Sequence, residues 1–249
     1  MYKNVLIISD NLSLCKEFYA LLQKKNFNAI NFTFSISPFS KLDTFKVDPS
    51  VDVSVFNLKK QTDVDEIITN FDLIISIHCK QIFPEDLVTK VKCVNVHPGY
   101  NPINRGWYPQ VFSIIKDLPI GATIHEIDKE LDHGRVIARS FVEKQPFDTS
   151  GSLYNKIILK ELELLDLHLD SIIHNNYQGI LPENEGNLFL KKDFNDLLQL
   201  NLDETSTVGK TIDKLRALTH GDFKNAYFID EKSGNKIFVS ILLTPEINE

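Results

Sequence analysis

Two short runs, Val5-Leu6-Ile7-Ile8 and Asp72-Leu73-Ile74-Ile75-Ser76-Ile77, restrict what this chain can fold into more than any other feature in it. Both are β-branched and nearly all apolar, without the alternation of a strand that has one wet face. Strands of this kind are covered on both sides, as in parallel sheets flanked by helices. The first run ends in Ser9-Asp10-Asn11, a turn and cap cluster, and a helical pattern follows from about Leu12 to Lys25. Cys93-Val94-Asn95-Val96 reads as another buried strand. The predicted class is therefore α/β, a Rossmann-like open twisted sheet.

The rest of the chain fills in around that frame. Val53 to Phe56 alternates as a strand would, and Val64 to Asn70 reads as a short helix, whereas the stretch from Ala29 to Pro49 is broken by Pro38 and gives no clear pattern. A helix is expected from Trp107 to Lys116, with Pro109 tolerated in its first turn. Ile120 to Ile127 and Val136 to Val142 read as paired strands, and the longest helix, opened by Ser150 or Ser152, runs to about Asn175. Beyond Pro182 the composition turns polar. A helix over Thr207 to Leu218 and a hairpin formed by Asn225–Ile229 and Lys236–Leu243 follow. This shift sets the expected organisation: an α/β catalytic domain over 1–185 and a small C-terminal region over 186–249 with a helix and β-hairpin.

Charge and cysteine usage exclude several classes. Among 249 residues, 27 are basic and 34 acidic, and a net charge of −7 argues against a nucleic-acid partner. Cys15, Cys79 and Cys93 share no CxxC spacing, which argues against a disulfide framework and fits a reducing cytoplasm. Residues 1–9 do not read as a signal peptide, and no apolar run approaches the roughly 18 residues of a membrane span. GxGxxG and GxxxxGK[ST] are absent, against a dinucleotide oxidoreductase or a P-loop enzyme.

Open α/β sheets place ligands at the carboxyl ends of their strands, and two of those ends are rich in chemistry. One is His78-Cys79-Lys80-Gln81-Ile82-Phe83-Pro84; the other runs from Asn95 through His97-Pro98-Gly99 to Arg105-Gly106-Trp107. On an extended strand Asn95 and His97 project to the same side. Asp132, in the later loop Leu131-Asp132-His133-Gly134, offers a carboxylate to that imidazole. An amide, an imidazole and a carboxylate without a Ser or Cys nucleophile suggest direct group transfer, with His as proton carrier and Asn on a developing oxyanion. On spacing alone, His97 is as readily a residue satisfied by backbone, and Asp132 a turn residue. His97, His125, Asp128, Asp132 and His133 are potential metal ligands, but they match no established ligand spacing and no metal is expected. Cys79, beside Lys80, reads as structural because no His is placed to activate it.

Together, Asn95-Val96-His97-Pro98-Gly99, Arg105-Gly106 and Leu131-Asp132-His133-Gly134 resemble the signature of the formyltetrahydrofolate-dependent formyltransferases. Ile77 through Pro84, Asn104 through Ser113, Pro119 through His125 and Leu215 through Ala226 resemble the sugar N-formyltransferases within that superfamily, in particular those acting on dTDP-4-amino-4,6-dideoxyglucose. The resemblance is most specific over 72–140 and weak over 26–60 and 180–205. It implies a catalytic trio of Asn95, His97 and Asp132, and 10-formyltetrahydrofolate as donor, held by Lys80, Gln81, Ile82, Phe83, Asp128 and Asp132. It implies a nucleotide-linked amino sugar as acceptor, with Arg105, Trp107, Tyr108, Tyr154, Arg216, His220, Lys224 and Tyr227 as candidate contacts. Lys80 is also a candidate for the diphosphate, and Phe223 for stacking. A homodimer formed through the C-terminal hairpin is likewise implied, as is a product destined for a bacterial surface polysaccharide such as lipopolysaccharide O-antigen.

Other readings share these residues. Methionyl-tRNA formylation needs a basic C-terminal module, and residues 201–249 hold fewer basic than acidic residues. Glycinamide ribonucleotide formylation fits the long C-terminal extension and the tryptophan-containing loop poorly. A 10-formyltetrahydrofolate hydrolase or a non-catalytic nucleotide-sugar binder stays open, although a binder has no need of all three members of the trio.

Overall fold

The computed structural model describes residues 1–246. In chain order the elements are β1 (Asn4–Ser9), α1 (Leu12–Lys25), β2 (Asn31–Ile36), β3 (Val53–Val55), α2 (Gln61–Asn70), β4 (Leu73–Ile77), α3 (Glu85–Lys90), β5 (Lys92–His97), β6 (Arg105–Gly106), α4 (Pro109–Ile115), β7 (Ile120–Glu126), β8 (Val136–Val142) and α5 (Ser150–Ile173). The C-terminal part adds β9 (Leu188–Phe189), α6 (Lys191–Asn195), α7 (Val208–Leu218), β10 (Tyr227–Ile229) and β11 (Lys236–Phe238). Seven strands form one sheet in the order β3-β2-β1-β4-β5-β7-β8. The first five are parallel, and β7 and β8 complete the sheet antiparallel to their neighbours. This is the mixed α/β architecture expected from the two apolar runs.

Alternate residues of those runs supply two different layers. Val5 and Ile7 pack with α1, α4 and α5, whereas Leu6 and Ile8 pack with α2 and α3. Burying each such side chain contributes about 1.5–3 kcal/mol, so a shift of register by one residue would exchange two full layers. The sheet order reverses between β1 and β4, which opens a crevice beyond their carboxyl ends.

Local chemistry sets the helix boundaries. Asn11 caps α1 by accepting the Leu14 N–H, and Asn26 closes it in the left-handed conformation. The cap of α5 is Thr149, with Ser152 completing a capping box, so neither Ser150 nor Ser152 is the capping residue the sequence suggested. Asn31–Ile36, in the stretch that gave no pattern, is a parallel strand inside the sheet. Pro38 follows its end and limits the strand without breaking it. The hairpin strands are shorter than expected, three residues each. Residues 188–189 pair with 105–106 of the catalytic body, three residues past the expected boundary at 185. Among the described residues, no helix is long and apolar enough to cross a membrane.

Candidate active site

Asn95 and His97 leave the same side of β5, at the carboxyl edge of the α2/α3 layer. Antiparallel pairing sets His125 of β7 opposite Asn95, beside an irregularity in the β7–β8 register at Ile124/His125. Such irregularities re-aim side chains next to active sites. Asp132 closes the group from the β7–β8 loop, where its backbone is left-handed at φ +48, a conformation Asp tolerates better than most residues. Asn101 Nδ2 donates to the Asp132 carbonyl at 3.0 Å, and Arg105 Nε to the Leu131 carbonyl at 3.1 Å, which hold that loop in place.

The Asp132 carboxylate accepts from Asn95 Nδ2 at 3.1 Å and from the Gly106 N–H at 3.0 Å. Its Oδ2 lies 3.5 Å from His97 Nδ1 and its Oδ1 3.4 Å from His125 Nε2. His97 Nε2 is 2.8 Å from the Asn104 carbonyl, a pure acceptor, so that nitrogen carries the proton. A Cβ on Gly99 would come within 2.5 Å of both His97 Nε2 and that carbonyl, so glycine is required for this contact. The backbone reading of His97 thus holds for one nitrogen, while Nδ1 stays bare and turned to Asp132. By the same logic His125 donates Nδ1–H to the Glu126 carbonyl and accepts from Asn95 Nδ2 on Nε2.

Burial pushes the His97 imidazole below its ordinary pKa, and the charge of Asp132 opposes the shift without cancelling it. Burial works against the Asp132 charge as well, but the His97 and His125 imidazoles and the Gly106 amide outweigh it and hold the carboxyl below the usual carboxylate range. At neutral pH the pair is a neutral imidazole with a free nitrogen beside a carboxylate. A proton taken by Nδ1 would be met at once by Asp132 Oδ2.

These groups open into a cleft of about 1260 Å³, larger than most single-ligand pockets. One lip belongs to the α2/α3 side and includes Leu58, Lys59, Val64, Lys80–Phe83 and Ile127–Glu130. Asp10 Oδ2 accepts the Lys80 N–H at 2.7 Å, and the Gln81 amide grips Leu58 N–H and the Phe56 carbonyl. The facing lip includes Asn11, Trp107, Tyr108, Gln110, Ser150, Tyr154, Phe194, His220 and Phe223. Tyr108 stacks on Phe194 with centroids 3.9 Å apart, and His220 Nδ1 lies 3.0 Å from Ser150 Oγ.

Lys80, Gln81, Ile82, Phe83, Asp128, Trp107, Tyr108, Tyr154 and His220 therefore line one cleft with the trio. Four expected nucleotide contacts lie elsewhere. Arg105 is buried and spends its guanidinium on the Leu131 and Glu185 carbonyls and the Glu185 carboxylate. Arg216, also buried, binds Asp213 and the Asp148 carbonyl. Lys224 is exposed with its ammonium 5.7 Å over Phe238, and Tyr227 sits in the hairpin with its hydroxyl on Gln199. Charge and their place in family-like motifs suggested the two arginines, but a buried guanidinium already satisfied by the protein's own oxygens has little left for a ligand. Cys79 is structural in character, its thiol pushed up to about 12 by burial.

His125, a potential metal ligand by sequence, is a member of this site, and Asn11, Ser150, Phe194 and Glu161 join its surroundings without any motif to mark them. A signal existed for Glu161, which interrupts the apolar stripe Leu153, Ile157, Leu164, Leu165 on α5. Glu130, His133 and Glu185 bring three ligand atoms within 4.8 Å, but Glu185 is already paired with Arg105, whose charge disfavours a cation there.

Comparison with known proteins agrees with this geometry. The formyl transferase family model matches residues 3–169, and the N-formyltransferase dimerization C-terminal domain matches residues 193–245. A dTDP-4-amino-4,6-dideoxyglucose formyltransferase of Mycobacterium tuberculosis is 52% identical over 183 residues, which cover 74% of this chain and 78% of that protein. The crystal structure of a 4-N formyltransferase from Francisella tularensis superposes with a TM-score of 0.91 at 39% identity, covering 98% of this chain and 99% of that one. A sugar N-formyltransferase from Shewanella gives a TM-score of 0.91 at 38% identity with the same coverage. With the family model spanning most of the catalytic body, this chain belongs to the formyl transferase family.

Proposed function

We propose that this formyltransferase moves a formyl group from 10-formyltetrahydrofolate to the C-4 amine of dTDP-4-amino-4,6-dideoxyglucose. The observation that carries this reading is a group of Asn95, His97 and Asp132 at the base of a cleft with two chemically different lips. The 52% identity to a mycobacterial protein named for that substrate supports the choice of sugar.

The donor lies along the α2/α3 lip. Its flat, apolar pterin suits Leu58, Val64, Phe83 and Ile127, and backbone of the Lys80–Phe83 and Asp128 segments meets its polar edge. Lys59, Lys80 and Lys129 suit the carboxylates of its glutamyl tail. The nucleotide sugar lies along the opposite lip, where Trp107 and Tyr108 offer stacking surfaces and Tyr154 and His220 offer polar contacts. The sugar amine attacks the formyl carbon, forming a C–N bond and a tetrahedral oxyanion, which Asn95 Nδ2 stabilises by turning to it one of the two hydrogens it otherwise gives to Asp132 and His125. His97 Nδ1 takes the proton that the amine loses, with Asp132 supporting the imidazolium. Collapse breaks the bond to N10 of the folate, and that nitrogen receives the proton from His97.

The C-terminal region acts as the dimer contact. Residues 193–245 match a dimerization domain, and Ile229, Ile237, Phe238 and Leu242 expose apolar surface on and beside the hairpin. We place the enzyme in the cytoplasm, where its three free cysteines stay reduced. Its product serves a surface polysaccharide.

The test is a mass-spectrometric assay with 10-formyltetrahydrofolate and, in separate tubes, dTDP-linked 4-amino and 3-amino 6-deoxyhexoses. A formyl mass gain on the 4-amino sugar is expected. Gain on the 3-amino sugar alone would overturn the substrate assignment, and folate turnover without sugar would point to a hydrolase.

A further inference from the structure

Behind the cleft wall, beneath His78 and Tyr154, lies a carboxylate that the transfer chemistry leaves idle. Glu161 lies on the apolar stripe of α5 with its side chain fully buried, where helical spacing calls for an aliphatic residue. A buried carboxylate is costly unless well paired. Among the described residues its Oε2 has no hydrogen-bond partner, while its Oε1 lies 2.8 Å from His78 Nε2. His78 directly follows β4 with φ +55, a conformation uncommon for a residue of its size.

With Glu161 ionised, the hydrogen bonds around this pair set each proton in turn. An ionised Glu161 only accepts, so His78 carries its proton on Nε2 and leaves Nδ1 bare. The Tyr154 hydroxyl, 2.9 Å away, then donates to Nδ1 as a nearer partner than Asn11 Nδ2, which lies 3.3 Å from the same nitrogen. Asn11 Oδ1 is taken by the Leu14 N–H as the α1 cap, which turns Asn11 Nδ2 toward Tyr154 at 3.2 Å. The Tyr154 oxygen thus accepts one hydrogen bond from the protein, gives its proton to His78 and keeps one lone pair for a ligand in the cleft that it lines.

We propose that Glu161 and His78 are positioning residues that set the Tyr154 hydroxyl as an acceptor for a ring hydroxyl of the sugar, so that this relay reads the configuration of the substrate. The inference rests on the sugar lying along the α5 lip. A phosphate is disfavoured beside the Glu161 charge, and the sugar amine is engaged at Asn95 and His97, which leaves a hydroxyl as the donor group. Sites that hydrogen-bond a substrate hydroxyl discriminate strongly against analogues that lack it.

The test combines kinetics with a spectroscopic readout on the full-length enzyme. Tyr154→Phe is expected to raise KM for the nucleotide sugar about five- to tenfold, the range of one directed hydrogen bond, with KM for the donor unchanged. Glu161→Leu is expected to give the same loss, and the double variant to lose no more than either single one. Glu161→Gln, which keeps an acceptor oxygen, is expected to restore KM. An unchanged sugar KM in Tyr154→Phe overturns the proposal, and so do losses that multiply in the double variant. A lower Tm in Glu161→Leu with unchanged sugar KM would mark Glu161 as structural. Long-range ¹H–¹⁵N spectra of histidine-labelled enzyme report the His78 tautomer without any substrate. Protonation on Nε2 alone is expected, and a proton on Nδ1 overturns the relay even if the sugar assignment holds. Failure of wild-type enzyme to formylate any dTDP-amino sugar would instead sink the substrate reading and leave the tautomer result to stand by itself.

Discussion

The lip on the α2/α3 side comes from a few short stretches, chiefly 58–64, 79–84 and 127–130, whereas the facing lip gathers single side chains from β1's end, α4, α5, α6 and the α7–β10 turn. The first is built from contiguous segments whose backbone is held in place, as the Asp10 carboxylate holds the Lys80 N–H. The second is built from side chains that satisfy one another across the fold, as in the Gln110–Ser150–His220 chain. A lip of contiguous segments suits a donor whose structure never varies. A side-chain lip can be altered one residue at a time, which suits the partner that differs between members of a family. The trio at the base serves both lips, so its loss should cost the most.

His97→Ala is therefore expected to have the largest effect, a fall of about 10²–10⁴-fold in kcat with dTDP affinity unchanged by calorimetry. Loss of dTDP binding together with activity would assign His97 to the side-chain lip and break the division between base and lips.

Asp132→Asn should cost less and move the pH profile in a defined direction. His97 must be neutral to take a proton, and burial lowers its pKa, so the acid limb of kcat/KM is expected below pH 6.5. Removing the Asp132 charge removes an attraction that favours the imidazolium, so the limb should move to still lower pH while the plateau falls. The depressed Asp132 carboxyl also contributes stability above its unfolded value of 3.8, lost as pH falls through its lower folded value. The variant should therefore lose less stability than wild type at the acid end of a denaturation series. A limb that moves upward would mean that Asp132 does not face the group that titrates.

A swap experiment tests the lips against each other. His220→Ala is expected to raise the sugar KM about tenfold or less, and Gln81→Ala the donor KM by a similar factor, each leaving the other KM alone. Crossed effects in steady-state kinetics would show that the substrates exchange places or share both walls.

The same contrast explains what was legible in the sequence. The parallel core was readable because Val5–Ile8 and Leu73–Ile77 carry their two-sided burial in their composition. Asn95, His97 and the 80–83 segment were readable because strand ends are local features with fixed side-chain direction. The side-chain lip was legible only in part: Trp107, Tyr108, Tyr154 and His220 stood out, but nothing near Asn11 or Phe194 announces Tyr154, 143 positions on, or Tyr108, 86 positions back. Arg105 and Arg216 misled because charge is visible in a sequence and its internal partners are not. Glu161 was detectable as a charge in an apolar stripe, but its partner His78 lies 83 positions earlier.

Lys224 should give the smallest effect and still bears on the comparison. It was a natural candidate for the diphosphate, being a cation next to Phe223, which does line the cleft. Its ammonium instead lies 5.7 Å over the Phe238 ring at the hairpin. An exposed cation–π contact contributes about 0.5–1 kcal/mol, so Lys224→Ala should lower stability by no more than that in urea denaturation. The sugar KM should stay within about twofold of wild type, the scatter expected when no directed hydrogen bond is lost. A several-fold rise would place the diphosphate at the junction of α7 and the hairpin. The side-chain lip would then extend onto the same segment that exposes apolar surface for dimer contact, and the partner subunit would become part of the substrate's surroundings.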